Sequence, residues 1–267
     1  MNTILIIALL FLPFRNVYSQ RPVILTENAA TLGFNQLEAG IGVEYFSKSD
    51  ESLIELPTSE VRLGVCALRF GVAENVNFDL EWRGRLLAEM QSGESAADWG
   101  DLTVATKITI LRERTNTPVL GLRSAVKLPN TSYRPYKLGS DQTDYFFHIL
   151  LTKQIINIET RMNIGFGIVG NPRATASQDD IYILSGASII PFLTNSRLFV
   201  ELYGFTGSFE DDDKLLGRFG VTLHQFNLSW NIFGSVRLSG NNKDFGAAFE
   251  ASEDWSIGFF LAKQIRF

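Results

Sequence analysis

The stretch Val76-Asn77-Phe78-Asp79-Leu80-Glu81-Trp82-Arg83-Gly84-Arg85-Leu86 alternates two kinds of residue without a break. A period of two marks a β-strand, because successive side chains of a strand point to opposite faces. Val76, Phe78, Leu80, Trp82, Gly84 and Leu86 could face hydrocarbon, whereas Asn77, Asp79, Glu81, Arg83 and Arg85 could face only water or a charged partner. The pattern returns at 158–168, where Ile158, Thr160, Met162, Ile164, Phe166 and Ile168 oppose Glu159, Arg161, Asn163, Gly165 and Gly167. It returns again at 228–238, where Leu228, Trp230, Ile232, Val236 and Leu238 oppose Asn227, Ser229, Asn231, Ser235 and Arg237.

Weaker stretches of the same kind fill the gaps at 37–45, 61–67, 102–110, 120–128, 145–151, 181–189, 198–202 and 219–223. With the C-terminal stretch 255–267 this gives about twelve strands, long enough to cross a bilayer at a tilt. The links sort by length: long at 47–57, 89–98, 130–142, 171–180, 207–214 and 240–254, short at 73–75, 114–117, near 157, at 194–196 and near 226. Strict alternation of long and short links is what an up-and-down barrel requires, whereas a soluble β-sandwich has no reason to sort its loops this way. The expectation is an all-β fold, a transmembrane antiparallel β-barrel of about twelve strands over residues 36–267. Both termini would be periplasmic and the long loops extracellular.

The ends agree with export. Residues 4–14 form an apolar run too short to span a bilayer as a helix. Val17-Tyr18-Ser19 follows it, so 1–19 reads as a signal peptide cut before Gln20, although no Lys or Arg precedes the run. Residues 20–35 show no alternation and read as a periplasmic tail or a partial plug of the barrel. At the other end Trp255, Ile257, Phe259, Leu261, Ile265 and Phe267 share one face, broken by Lys263. A last strand ending in Phe267 resembles the signal read by the barrel insertion machinery of the outer membrane of Gram-negative bacteria. Aromatic residues sit where strands leave the apolar band, at Tyr45, Phe46, Trp99, Tyr145, Phe147, Phe205, Phe209 and Trp255 near long links, and at Phe70, Phe192, Phe226 and Phe267 near short ones. Two such girdles suit the two membrane interfaces.

Composition narrows the partners. The net charge of −5 argues against nucleic acid. The single cysteine, Cys66, cannot form an internal disulfide and reads as a small inward-facing residue. No phosphate-binding loop is present, so nothing in the chain points to a nucleotide or another cofactor, and no metal is expected. The expected partners are outer-membrane lipids and lipopolysaccharide, the insertion machinery, and a small-molecule solute.

Short motifs extend the reading. Leu68-Arg69-Phe70-Gly71-Val72, Gly100-Asp101-Leu102 with Lys107 behind it, Gly121-Leu122 through Val126-Lys127-Leu128-Pro129, Glu201 in Phe199-Val200-Glu201-Leu202, and the final Ile265-Arg266-Phe267 resemble outer-membrane β-barrel transporters of the meta-pathway phenol-degradation family. The resemblance covers most of the exported chain and implies uptake of small, aromatic or apolar molecules. Asn130-Thr131 follows Pro129 where the family carries a glycine-containing turn.

If the apolar faces meet lipid, the lumen-lining candidates are Asp79, Glu81, Arg83, Arg85, Lys107, Arg123, Lys127, Glu159, Arg161, Glu201 and Arg237. They describe either a charged passage for a solute or a network of mutually neutralising pairs, and buried charges must be paired in both cases. The long loops are acidic at Asp50, Glu51, Glu94, Asp98, Asp179, Asp180, 210–213, Asp244, Glu253 and Asp254, opposite in sign to the slight basic excess of the lumen set. The expected function is a passive outer-membrane channel or facilitator for small molecules, not an enzyme. The alternatives are a non-conducting structural or adhesive barrel, and a lipid hydrolase that would need a serine beside His148 or His224 on the lipid-facing wall.

Overall fold

A computed structural model describes residues 23–47, 57–132, 134–136, 138–170, 178–207, 213–240 and 253–267. The signal-peptide stretch, Phe209 and the acidic loop residues Asp50, Glu51, 210–212 and Asp244 lie outside them. Every strand pairs antiparallel with its neighbours: β1 (Gln36–Ser47), β2 (Pro57–Ala73), β3 (Val76–Trp82), β4 (Arg85–Met90), β5 (Ser95–Trp99), β6 (Leu102–Leu111), β7 (Val119–Leu128), β8 (Asp144–Ile155), β9 (Ile158–Gly170), β10 (Gln178–Leu193), β11 (Ser196–Thr206), β12 (Lys214–Gln225), β13 (Leu228–Gly240) and β14 (Trp255–Arg266). β3 runs on into β4, and β5 into β6, so twelve staves make up the wall. β1 pairs with both β2 and β14, from Gln36↔Arg266 to Ser47↔Trp255, which closes the ring. The fold is therefore the closed twelve-stranded barrel that the period-two pattern implies. Closure pairs every stave on both sides through the middle of the wall, the condition for a sheet to sit in hydrocarbon, and only the short β5, beyond the end of β7, pairs on one side alone. The Phe267 N–H donates to the Asn35 carbonyl at 3.0 Å, so the strand region begins and ends at one rim.

The outer face is apolar. Phe78, Ile149, Ile164, Phe166, Leu184, Val200, Leu202, Phe219, Ile232 and Ile257 all stand exposed on it, a surface that water disfavours and lipid satisfies. Rings pair across strands on this face, Tyr45 with Trp255, Trp82 with Trp99 and Trp230 with Phe259. Phe46 and Phe205, expected in the girdle, are buried on the inward face. Ile41, Cys66 and Trp82 form one cross-strand row on the outward set, so Cys66 does not share the lumen face expected of it.

One expectation about the links fails. Residues 89–98 are not a long loop. Leu86–Asp98 and Glu89–Ser95 pair as a hairpin, with only 91–94 turning, because Gly93 takes φ +82° and lets the chain reverse tightly. The short link expected at 114–117 is there: Arg114 and Thr117 bridge and exchange both backbone hydrogen bonds, at 3.0 and 3.2 Å, around a two-residue turn like those at 156–157 and 226–227 on the same rim. Long and short links still alternate, with the second long one reduced to the four-residue turn at 91–94.

The unbroken alternation of 76–86 also stops at Gly84. Gly84 takes φ +74° and Gly64, facing it on β2, takes φ +72°. A Cβ on Gly84 would come 2.2 Å from the Leu63 carbonyl oxygen, so only glycine fits this close approach. The irregularity reverses the parity of β4 relative to β3: Leu86, Ala88 and Met90 turn inward and are buried, and Arg85 turns outward. Elsewhere inward glycines make room for rings lying against the wall, as at Gly40 and Gly42 under Phe260, Gly220 under Phe199 and Gly258 under Phe233.

Candidate functional site: the barrel lumen

Residues 23–35 do not hang below the barrel; they cross its interior. Val23 and Ile24 pack against Phe199, Phe233 and Phe260 on the wall made by β10 to β14, and Leu25 packs against the cluster of Val169, Ile181, Ile183 and Tyr203. The carboxylate of Glu201 accepts the backbone N–H groups of Leu25 (3.1 Å) and Thr26, and the Thr26 hydroxyl at 2.6 Å. From there the segment crosses to the opposite wall. Ala29 N–H donates to Thr152 Oγ1 at 2.9 Å, Thr31 N–H to Thr109 Oγ1 at 3.1 Å, and Leu32 N–H to Asn77 Oδ1 at 3.0 Å. Each bond serves a backbone donor that would otherwise be buried without an acceptor. Two wall glycines admit the backbone itself: a Cβ on Gly121 would lie 2.8 Å from the Ala29 oxygen, and one on Gly71 would lie 2.0 Å from the Gly33 oxygen.

Glu27, on this segment, stands among wall cations. Its carboxylate is 2.7 Å from Arg123 Nε and 3.3 Å from Lys107 Nζ, with all three side chains nearly fully buried. Lys107 also donates to the Asn28 carbonyl at 3.1 Å. Arg161 pairs with Glu159 at 2.5 Å and donates to the Thr26 carbonyl at 3.2 Å, while Glu159 accepts from Asn28 Nδ2 at 3.0 Å. Lys107, Arg123, Glu159, Arg161 and Glu201 therefore come together around one segment.

The other candidates divide. Glu81 approaches Arg123 at 3.5 Å, and Asp79 approaches Arg69 at 3.4 Å. Lys127 lies apart, near the opposite rim, between Asp144 (2.6 Å) and Asp101 (3.5 Å). Arg237 pairs with Asp254 at 3.1 Å at that rim. Arg83, at the break between β3 and β4, lines a small cavity. Arg85 does not belong to the lumen: the Gly84 irregularity turns it outward, where its guanidinium lies 4.8 Å from the centroid of the Trp99 ring.

Several lumen charges escaped the sequence reading. Arg69 meets Glu38 at 3.1 Å and Arg62 meets Glu60 at 2.5 Å. The signal for them was present, since Glu38 lies between Leu37 and Ala39, and Arg69 between Leu68 and Phe70. Glu27 gave no such signal, because its segment has no period.

The segment has open space on both sides. Toward the rim where Phe267 meets Asn35, a cavity of about 320 Å³ is bordered by Glu27, Arg69, Lys107, Glu159, Arg161 and Arg197. Toward the other rim, a cavity of about 70 Å³ touches Ile24 and Leu25 on one side and Glu44, Arg62, Glu81 and Arg218 on the other. His224 Nδ1 lies 3.1 Å from Ser229 Oγ, but both side chains belong to the inward set and Ser229 is buried, so this pair is not on the lipid-facing wall that a lipid hydrolase would use.

Comparison with known proteins places these features in a wider group. The family model described as "Putative MetA-pathway of phenol degradation" matches residues 67–242. The crystal structure of an outer-membrane channel from Pseudomonas putida F1 superposes with a TM-score of 0.65 at 10% identity, covering 89% of this chain and 98% of that one. The structure of the NanC porin superposes with a TM-score of 0.54 at 8% identity, covering 86% and 99%. These likenesses establish the fold. No curated protein matches in sequence.

Proposed function

We infer the function of this chain from the family to which it belongs, that of the phenol-degradation model, and from the contents of its lumen: it is an outer-membrane channel that lets small molecules cross passively, with residues 23–35 limiting the passage. The observation that carries this reading is the interior itself. A filled structural core would leave little space, whereas here two cavities flank one peptide segment that packs and hydrogen-bonds to the wall. A side-chain-filled core would have no need of wall glycines that admit a backbone. The two solved structures of similar fold are described as a channel and a porin, which supports the same reading.

In this reading residues 1–19 are removed on export, 20–35 form a partial plug entered from the periplasmic rim, and 36–267 form the barrel. Both termini are periplasmic and the rim with the longer loops is extracellular. The outward apolar face contacts membrane lipid and lipopolysaccharide, and the last strand, ending in Phe267, addresses the insertion machinery. The solutes are small, and the family description favours aromatic ones. The dense ion pairing of the lumen favours the competing reading, a closed structural barrel.

Conductance of the refolded barrel in a planar bilayer decides between the two. Discrete single-channel steps are expected. Silence from protein that migrates as a folded barrel would refute the channel.

A further inference from the structure

Residues 23–35 carry one charged side chain, Glu27. That single charge is delivered to one place, with one carboxylate oxygen 2.7 Å from Arg123 Nε and the other 3.3 Å from Lys107 Nζ. The two cations come from adjacent strands and are direct cross-strand partners in the β6–β7 register. Glu81, the wall's own carboxylate beside Arg123, lies farther off at 3.5 Å. A guanidinium and an ammonium that grip the two oxygens of one carboxylate form an anion site, whichever molecule supplies the carboxylate.

We propose that Lys107 and Arg123 form a carboxylate-binding site of the channel, which Glu27 fills when the segment is seated and which a small carboxylate solute fills in its place. The inference rests on the channel reading for its purpose, but the site stands on its own geometry. Access comes from the 320 Å³ cavity, which Glu27 and Lys107 both border; small-molecule pockets run from about 300 to 1,000 Å³. A solute arriving there meets Lys107 and the guanidinium of Arg161 before it reaches Arg123. Glu27 is not part of the wall, so the solute has only to displace a side chain and need not break the barrel. Binding and seating then compete. A bound carboxylate loosens the segment, and a seated segment weakens carboxylate binding by the same factor.

The test uses the full folded chain in detergent, with propionate as the probe because it matches the end of the Glu27 side chain, and propionamide as its neutral counterpart. Folding of each variant is checked by the shift between heated and unheated protein on a gel. Calorimetry should show propionate binding Glu27→Ala at least tenfold more tightly than the unaltered chain. Propionamide should bind neither, and Glu27→Ala combined with Arg123→Gln should lose the gain. Propionate binding no tighter to Glu27→Ala than to the unaltered chain, or propionamide binding equally well, would overturn the proposal. Should Glu27→Ala not fold, the unaltered chain still decides. Propionate, but not propionamide, should speed hydrogen exchange of the Thr26 amide, and equal exchange in the two would overturn the site. None of these measurements needs an ion current, so a silent barrel would count against the channel and leave the site standing.

Discussion

Glu201→Gln should loosen the segment while leaving the barrel whole. Glu201 on β11 is buried, and its two oxygens accept three donors from the segment: the Leu25 and Thr26 amides and the Thr26 hydroxyl. Glutamine keeps the shape but removes the charge, and it turns one acceptor into an NH2 group that faces those donors. Hydrogen bonds to a charged group contribute about 1.5–3 kcal/mol each. Because the three share one carboxylate and are not additive, about 3 kcal/mol is a fair total for their loss. At 1.4 kcal/mol per factor of ten, seating should weaken roughly 150-fold. Arg218, 3.9 Å from Glu201, loses a counter-charge as well, which acts in the same direction. The assay is hydrogen exchange of the folded barrel in detergent. The Leu25 and Thr26 amides should exchange about a hundredfold faster, while amides within β9 keep their protection because they open only with the wall. Unchanged exchange at Leu25 and Thr26 would refute the assigned role of Glu201. Equal acceleration in β9 would show that the residue supports the barrel and not the segment.

Gly121→Val places side-chain atoms where the Ala29 backbone lies, since even a Cβ would be 2.8 Å from its oxygen; proteinase K should then cut within 23–35 faster than in the unaltered chain, with the barrel intact on a gel. Arg123→Ala should shift the reversal potential in a salt gradient toward cation preference, whereas Arg85→Ala, on the outer face beside Trp99, should leave it unchanged. Gly84→Ala combines a left-handed φ, costing about 1–2 kcal/mol, with a 2.2 Å contact to the Leu63 oxygen, so urea unfolding of the barrel should move to lower concentration.

What the sequence could reveal follows from the physics of each element. Stretches such as 158–168 announce their faces because the two sets differ in polarity, and the structure places Arg161 and Asn163 inward and Met162 and Ile164 outward. β10 could not announce a face. Ile181, Ile183 and Ile189 turn inward while Tyr182 and Leu184 turn outward, and both sets are apolar. The apolar half of the lumen therefore stayed invisible, together with the reason Val23 and Ile24 have a surface to pack on. Arg85 was misplaced because alternation carries no mark of a register break, although Gly84 two residues after Trp82 was a hint. Glu27 was hidden for a different reason. It sits on a segment held by hydrogen bonds to β3, β6, β8 and β11, and pairing across 45 to 176 residues of chain leaves no local pattern.

As proposed, residues 23–35 limit passage through a conducting lumen. The most direct measurement ties the segment to the wall and releases it within one membrane. Ala29 N lies 2.9 Å from Thr152 Oγ1, so a chain with Ala29→Cys, Thr152→Cys and Cys66→Ser can be oxidised to lock the segment in place. In a planar bilayer the locked barrel should pass little current, and a reducing agent added to the chamber should bring up larger single-channel steps. Equal conductance before and after reduction, with the disulfide verified, would show that the segment does not limit passage.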